Sequence, residues 1–120
     1  LASSAASDVY KRQVIDPSAA SFITALKRRK FRVQQADNAV LDGIRRTAVY
    51  LKNGNIKIHR CCTDAIREFG LYRWDDKKTE DAVVKDNDHA MDDIRYFCNT
   101  IMKYKVEKKN KISPAAASLL

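Results

Sequence analysis

The stretch 88–104 constrains the fold more than any other. Met91, Ile94, Cys98 and Ile101 recur there at steps of three and four residues, and no Gly or Pro interrupts. That period puts all four on one helical face. The spacing therefore predicts a long helix near the C-terminal end, with an apolar stripe that must lie against the rest of the chain. Upstream, the β-branched pair Val14-Ile15 precedes Asp16-Pro17-Ser18, the pattern of a buried strand running into a helix start. Pro17 suits a first helical turn, and Asp16 or Ser18 can cap it. Phe22, Ile23 and Leu26 then fall at helical spacing, ending in Lys27-Arg28-Arg29-Lys30.

Phe31, Val33 and Gln35 alternate with Arg32 and Gln34, which predicts a strand. Asp37 or Asn38 can cap the next helix, where Val40, Ile44, Ala48 and Leu51 share a stripe and Arg45 and Arg46 lie off it. Asn53-Gly54-Asn55 marks a turn, and Ile56 and Ile58 alternate with Lys57 and His59 as a further short strand. Thr63 or Asp64 can cap a helix through Ile66, Phe69 and Tyr72. Residues 75–87 are polar and aperiodic, as in a loop. Strands alternating with helices predict an α/β layer fold with a short, mostly parallel sheet and flanking helices.

At 120 residues the chain suits one domain with one modest core. Apolar residues at 45% and charged residues at 32% match a soluble globular class. No run approaches the roughly 20 apolar residues of a membrane span. Residues 1–13, LASSAASDVYKRQ, have no period and lack the features of a signal peptide. They read as a disordered leader foreign to the fold, in the manner of translated adaptor sequence, or alternatively as a native flexible terminus. Residues 14–105 are expected to form the domain, and 106–120, a lysine run followed by SPAAASLL, a flexible tail. Cys61, Cys62 and Cys98 are odd in number and form no C-x-x-C. Buried reduced thiols in a cytosolic protein are expected, rather than a zinc site or a disulfide framework.

Two acidic positions carry the chemistry. In Asn87-Asp88-His89-Ala90-Met91-Asp92 the pairs Asp88/Asp92 and His89/Asp92 are neighbours on a helix surface. Carboxylates at that spacing repel, so solvent, Arg95, the helix N-terminus or a divalent cation must offset them. Asp16 stands at the C-terminal edge of a predicted strand, where open α/β sheets bind ligands. Each position also fits a plainer role, Asp88 and Asp92 as an acidic first turn and Asp16 as an N-cap. Together, hard oxygen ligands from a strand end and a helix start suit Mg²⁺ or Mn²⁺. His89 can orient a water or a phosphate, or simply pack at the helix start. The charge, Lys+Arg 23 against Asp+Glu 15, gives +8 and favours a polyanionic partner. Arg28, Arg29, Arg45 and Arg46 can follow a DNA backbone. Lys85 is the cation nearest the acids and the best single candidate for a phosphate contact. Trp74 can stack on a base or pack against apolar neighbours.

Asp88-His89-Ala90-Met91-Asp92 with Ile94-Arg95-Tyr96 resembles the final-helix motif of the phage terminase large subunits, in the PBSX-like group. Val14-Ile15-Asp16-Pro17-Ser18-Ala19-Ala20 resembles that family's metal-binding strand turn. Asp37-Asn38 with Val40-Leu41-Asp42-Gly43-Ile44, and Tyr72 with Trp74-Asp75, match in the same order, so that the resemblance covers about 14–98. It implies part of an RNase H-like nuclease domain that cuts concatemeric viral DNA for packaging. Asp16 and Asp92 would be two of three acids holding two divalent ions, with Asp88 a further candidate ligand and His89 beside them. The first acid is implied on an earlier strand, and only Asp8 precedes Asp16 here. The family's ATPase domain carries a phosphate-binding loop, and no G-x-x-x-x-G-K-[ST] occurs in these residues. Val83-Val84 replaces the proline that many relatives carry before a lysine such as Lys85. The chain thus reads as a truncated fragment. Implied partners are double-stranded DNA and, in the whole protein, the ATPase domain, the portal and the small terminase subunit, in the cytoplasm of an infected or lysogenic bacterial host. The plainer alternative is a non-catalytic basic α/β domain that binds nucleic acid.

Overall fold

A computed structural model of the chain describes residues 12–117, with side chains as far as residue 111. The element order is β1 (Arg12–Ile15), α1 (Ala20–Arg28), β2 (Arg32–Gln35), α2 (Val40–Lys52), α3 (Thr63–Leu71) and α4 (His89–Phe97). A π-helical turn, Cys98–Met102, then leads into α5 (Lys103–Ala117). The expected α/β arrangement is present: a short parallel pair with flanking helices and a long C-terminal helix. Most of the expected leader lies outside the described residues, as do residues 118–120 of the expected tail. Arg12 and Gln13 belong to β1, so strand structure starts two residues before the expected boundary.

β1 and β2 pair in parallel, with Arg12 opposite Arg32 and Ile15 opposite Gln35. The pairing runs one step further through Ala36 N–H to Ile15 O at 2.8 Å. Parallel neighbours need a crossover, and α1 provides it. Its turn back into β2 has Lys30 at φ 62, the left-handed region. The Phe31 amide donates back to Leu26 O at 3.1 Å, so this helix closes in the usual left-handed way without a glycine. Ile23 is the buried residue of α1, whereas Phe22, expected on the same stripe, is 54% exposed.

α2 ends as the Asn53-Gly54-Asn55 pattern predicts. Gly54 has φ 71, and the Asn55 amide donates to Tyr50 O at 2.8 Å. The Ile56 amide is taken up by the same carbonyl at 3.4 Å. The strand expected at Ile56 and Ile58 is absent: its start is tied into this helix terminus and no partner strand flanks it among the described residues. Three expected caps also differ. Ala19, Ala39 and Cys62 occupy the N-cap positions without side-chain cap bonds. Asp16 and Asp37 instead accept from Ser18 N–H at 2.8 Å and Ala39 N–H at 3.2 Å, local turns that compete with capping. The loop 75–87 is joined at Val83 to the preceding Trp74 by an antiparallel bridge; Val83 is buried and Trp74 is 51% exposed.

The core lies where α2, α4 and the π-turn meet. Cys98, Asn99 and Thr100 are buried in that turn. The polar side chains of Asn99 and Thr100 face inward there and are paired. Thr100 Oγ1 accepts from Asp37 N–H at 2.9 Å, Asn99 Nδ2 donates to Asp37 O at 3.3 Å, and Lys103 Nζ meets Asp37 Oδ2 at 2.9 Å. The loop between β2 and α2 is thereby fixed to the long helix. The expectation of three buried thiols holds for Cys98 only, since Cys61 and Cys62 are exposed. Among the described residues no helix is long and apolar enough to cross a membrane.

Candidate functional site

The crossover geometry decides which sequence candidates meet. In a parallel β-α-β unit the helix runs back against the strands, so Asp16 and the Asp37–Ala39 loop share the carboxyl edge. Arg28 and Arg29 close α1 at the opposite edge. α4 docks on the carboxyl edge through Arg95 and Tyr96. The Tyr96 hydroxyl donates to Asp16 Oδ2, and Arg95 NH1 donates to the carbonyls of Asn38 at 2.8 Å and Ala39 at 3.1 Å.

Asp88 precedes α4, and Asp92 lies in its first turn. The repulsion expected between them is offset by two cations of the chain itself. Arg95 NH2 donates to Asp92 Oδ1 at 2.7 Å. Lys85 Nζ lies 3.3 Å from both Asp88 Oδ2 and Asp92 Oδ2. Burial pulls the Lys85 ammonium down, but Asp92 and Asp88 beside it leave its pKa above the usual lysine value. Arg95 behaves alike: burial opposes its charge, and Asp92 more than restores it. Arg95 is 3% exposed, and its Nε is buried without a hydrogen-bond partner among the described residues.

Asp16 is held below the usual carboxylate range, first by the Tyr96 hydroxyl and then by the Ser18 amide. Tyr96 is pushed up to about 12, by burial first and next by its bond to Asp16, with Asp92 also contributing. Asp16 and Asp92 therefore bear on one phenol from a strand end and from one helical turn away. His89 starts α4 on an exposed face, where its influence falls on Asp93.

Sequence reasoning missed Glu68. It is 4% exposed, and its Oε2 accepts the amides of Ala90 at 2.7 Å and Met91 at 3.3 Å. A carboxylate from α3 thus caps the helix that carries Asp92. The available clue was an acid three residues after Ala65 and four before Tyr72, on the face that otherwise packs inward. Among the basic candidates, Arg45 forms an exposed pair with Asp42 at 3.9 Å, and Arg46 is half-buried and donates to Asn99 Oδ1. No group of three or more His, Cys, Asp or Glu among the described residues is arranged to hold a metal ion. The Asp88–Asp92 pair does accept a cationic group, so its donor chemistry suits a hard cation.

A parallel β-α-β unit whose carboxyl edge receives an acid-bearing long helix defines a terminase-like α/β fold. The chain is similar to the large terminase from a thermophilic bacteriophage, solved in complex with ADP, with a TM-score of 0.72 and 47% sequence identity. The match covers 74% of this chain and 23% of that one. The same values hold for that phage's large terminase with ATP-gamma-S and for a further crystal form of it. No protein-family model matches the sequence, and no curated protein matches it. The chain is thus similar to phage large terminase structures over 74% of its own length, and it spans 23% of the length of the large terminase it matches.

Proposed function

We propose that this chain supplies part of the nuclease centre of a phage large terminase, an RNase H-like, divalent-cation-dependent endonuclease that cuts concatemeric viral DNA during packaging. The observation that carries the reading is the clasp at the carboxyl edge. Asp88 and Asp92 hold one ammonium between them at 3.3 Å each, and Asp16 is tied through Tyr96 to the same helix. Asp16, Asp92 and, more peripherally, Asp88 would hold Mg²⁺ or Mn²⁺, which in such sites activates water and stabilises the leaving oxygen of a phosphodiester. Arg95 would keep Asp92 oriented, His89 would orient water or phosphate, and Lys85 and Arg45 are the proposed backbone contacts, with Arg28 and Arg29 at the far edge of the sheet and Arg46 engaged by Asn99. Double-stranded DNA is the proposed partner. In the whole protein the ATPase domain, the portal and the small subunit would join it, in the cytoplasm of the bacterial host.

The test combines calorimetric Mn²⁺ titration with DNA binding and nicking by the 120-residue chain. Mn²⁺ binding that weakens in Asp92→Asn and Asp16→Asn is expected, with little or no nicking, because among the described residues no acid precedes Asp16 to serve as the earlier-strand ligand that the resemblance implies. DNA binding that depends on salt but ignores both Mn²⁺ and Asp92→Asn would instead establish a non-catalytic basic binding domain. Robust metal-dependent nicking would refute the need for that earlier-strand ligand.

A further inference from the structure

The acid pair at the start of α4 already has a cation, and it comes from the chain itself. Side-chain exposure is 10% for Asp88 and 21% for Asp92, against 57% for Lys85. The carboxylates are held in place, Asp92 by Arg95 at 2.7 Å, while the ammonium enters from the solvent side on a flexible four-carbon stem. Carboxylates one helical turn apart are unfavourable without a positive charge beside them. The Lys85 ammonium supplies that charge, and a hard divalent cation would seek the same Asp88 and Asp92 oxygens. Two cations cannot share this position, so one must leave as the other arrives.

We propose that Lys85 is a displaceable internal counter-ion: its ammonium occupies the Asp88–Asp92 pair when no metal is bound, and a divalent cation enters by exchanging with it. The released ammonium then becomes available to a DNA phosphate, so cation entry and phosphate contact are linked through one side chain. This inference rests on the divalent-cation reading above.

Two measurements on the full chain test it. Amine acetylation read by mass spectrometry, with and without saturating Mn²⁺, follows Lys85 in the unaltered protein. Mn²⁺ calorimetry compares the unaltered chain with Lys85→Met and Lys85→Arg. Lys85 is expected to acetylate several-fold faster with Mn²⁺ while the exposed Lys27 and Lys30 do not change. Lys85→Met is expected to bind Mn²⁺ more tightly by on the order of tenfold, the scale of two partly exposed ion pairs removed, and Lys85→Arg, which keeps a cation at the pair, to bind no more tightly than the unaltered chain. If Mn²⁺ binds yet leaves Lys85 acetylation and the Lys85→Met affinity unchanged, the exchange is overturned and the divalent-cation reading survives. If neither the unaltered chain nor Lys85→Met binds Mn²⁺, both are overturned.

Discussion

Gly43 and Arg95 show how closely single residues are matched here. A Cβ at Gly43 would fall 2.5 Å from Arg95 Cγ and 2.9 Å from Cδ, and Arg95 is fixed by Asn38, Ala39 and Asp92. Gly43→Ala gains about 1 kcal/mol of helix propensity but overpacks a site that cannot yield, costing about 1–3 kcal/mol. A net loss on the order of 1 kcal/mol is expected in urea unfolding. The Tyr96–Asp16 bond predicts a pH dependence with two limbs. Asp16 has a depressed folded pKa, so its contribution is complete above the ordinary carboxylate value and is lost as pH falls through the folded one. Tyr96 is the mirror case: its contribution is complete below the ordinary 10.0 and is lost as pH rises toward about 12. Tyr96→Phe should shrink the alkaline limb, to which the buried Tyr50 and the half-buried Tyr72 also contribute, and move the Asp16 part of the acid limb toward ordinary carboxylate behaviour while that of Asp37 stays, as read from urea midpoints across pH. Asp16, Asp88, Asp92 and Arg95 were legible because helical spacing and a strand-to-turn pattern single them out. The Tyr96–Asp16 bond was not, since it joins positions 80 residues apart that no local pattern links.

At the scale of elements, α4 depends on a neighbour for its start. Glu68 accepts the amides of Ala90 and Met91, so Glu68→Ala should cost about 0.5–2 kcal/mol, as for other lost caps. Glu68→Gln keeps an acceptor oxygen and should cost less, with urea midpoints separating the two. The alternation of strands and helices was readable from periodicity, and α2, α3 and α4 arose where their stripes placed them, whereas α5 continues as helix to Ala117 through most of the expected flexible tail. The short Ile56/Ile58 alternation misled because a few alternating residues form a strand only if a partner edge is available. Here a helix terminus claims the backbone instead. The caps misled for a related reason: Asp16 and Asp37 use their oxygens on amides two residues ahead, an outcome that composition does not distinguish from capping.

For the whole molecule, the +8 charge predicts DNA affinity that falls with salt by about 0.9 log unit per log of salt for each phosphate contacted. A flat salt dependence, measured by fluorescence anisotropy, would remove the charge argument. The basic candidates should respond differently. Arg45→Ala, on an exposed side chain, should lower the slope, whereas Arg46→Ala breaks the bond to Asn99 and should lower stability instead. The π-turn at Cys98–Met102 has a consequence for how this helix can vary. A π-turn holds one residue more than the α-helical turn it replaces, so deleting a single residue there would restore α-helical winding and leave the segments on either side near their present bearings, whereas the same deletion in regular α-helix would rotate everything after it by about 100°. Lys103 would stay near Asp37, and Asp92, Arg95 and Tyr96, lying before the turn, would keep their bearings. The turn thus acts as a slack joint: a one-residue change in length can be taken up there without re-aiming either the acids before it or the lysine after it.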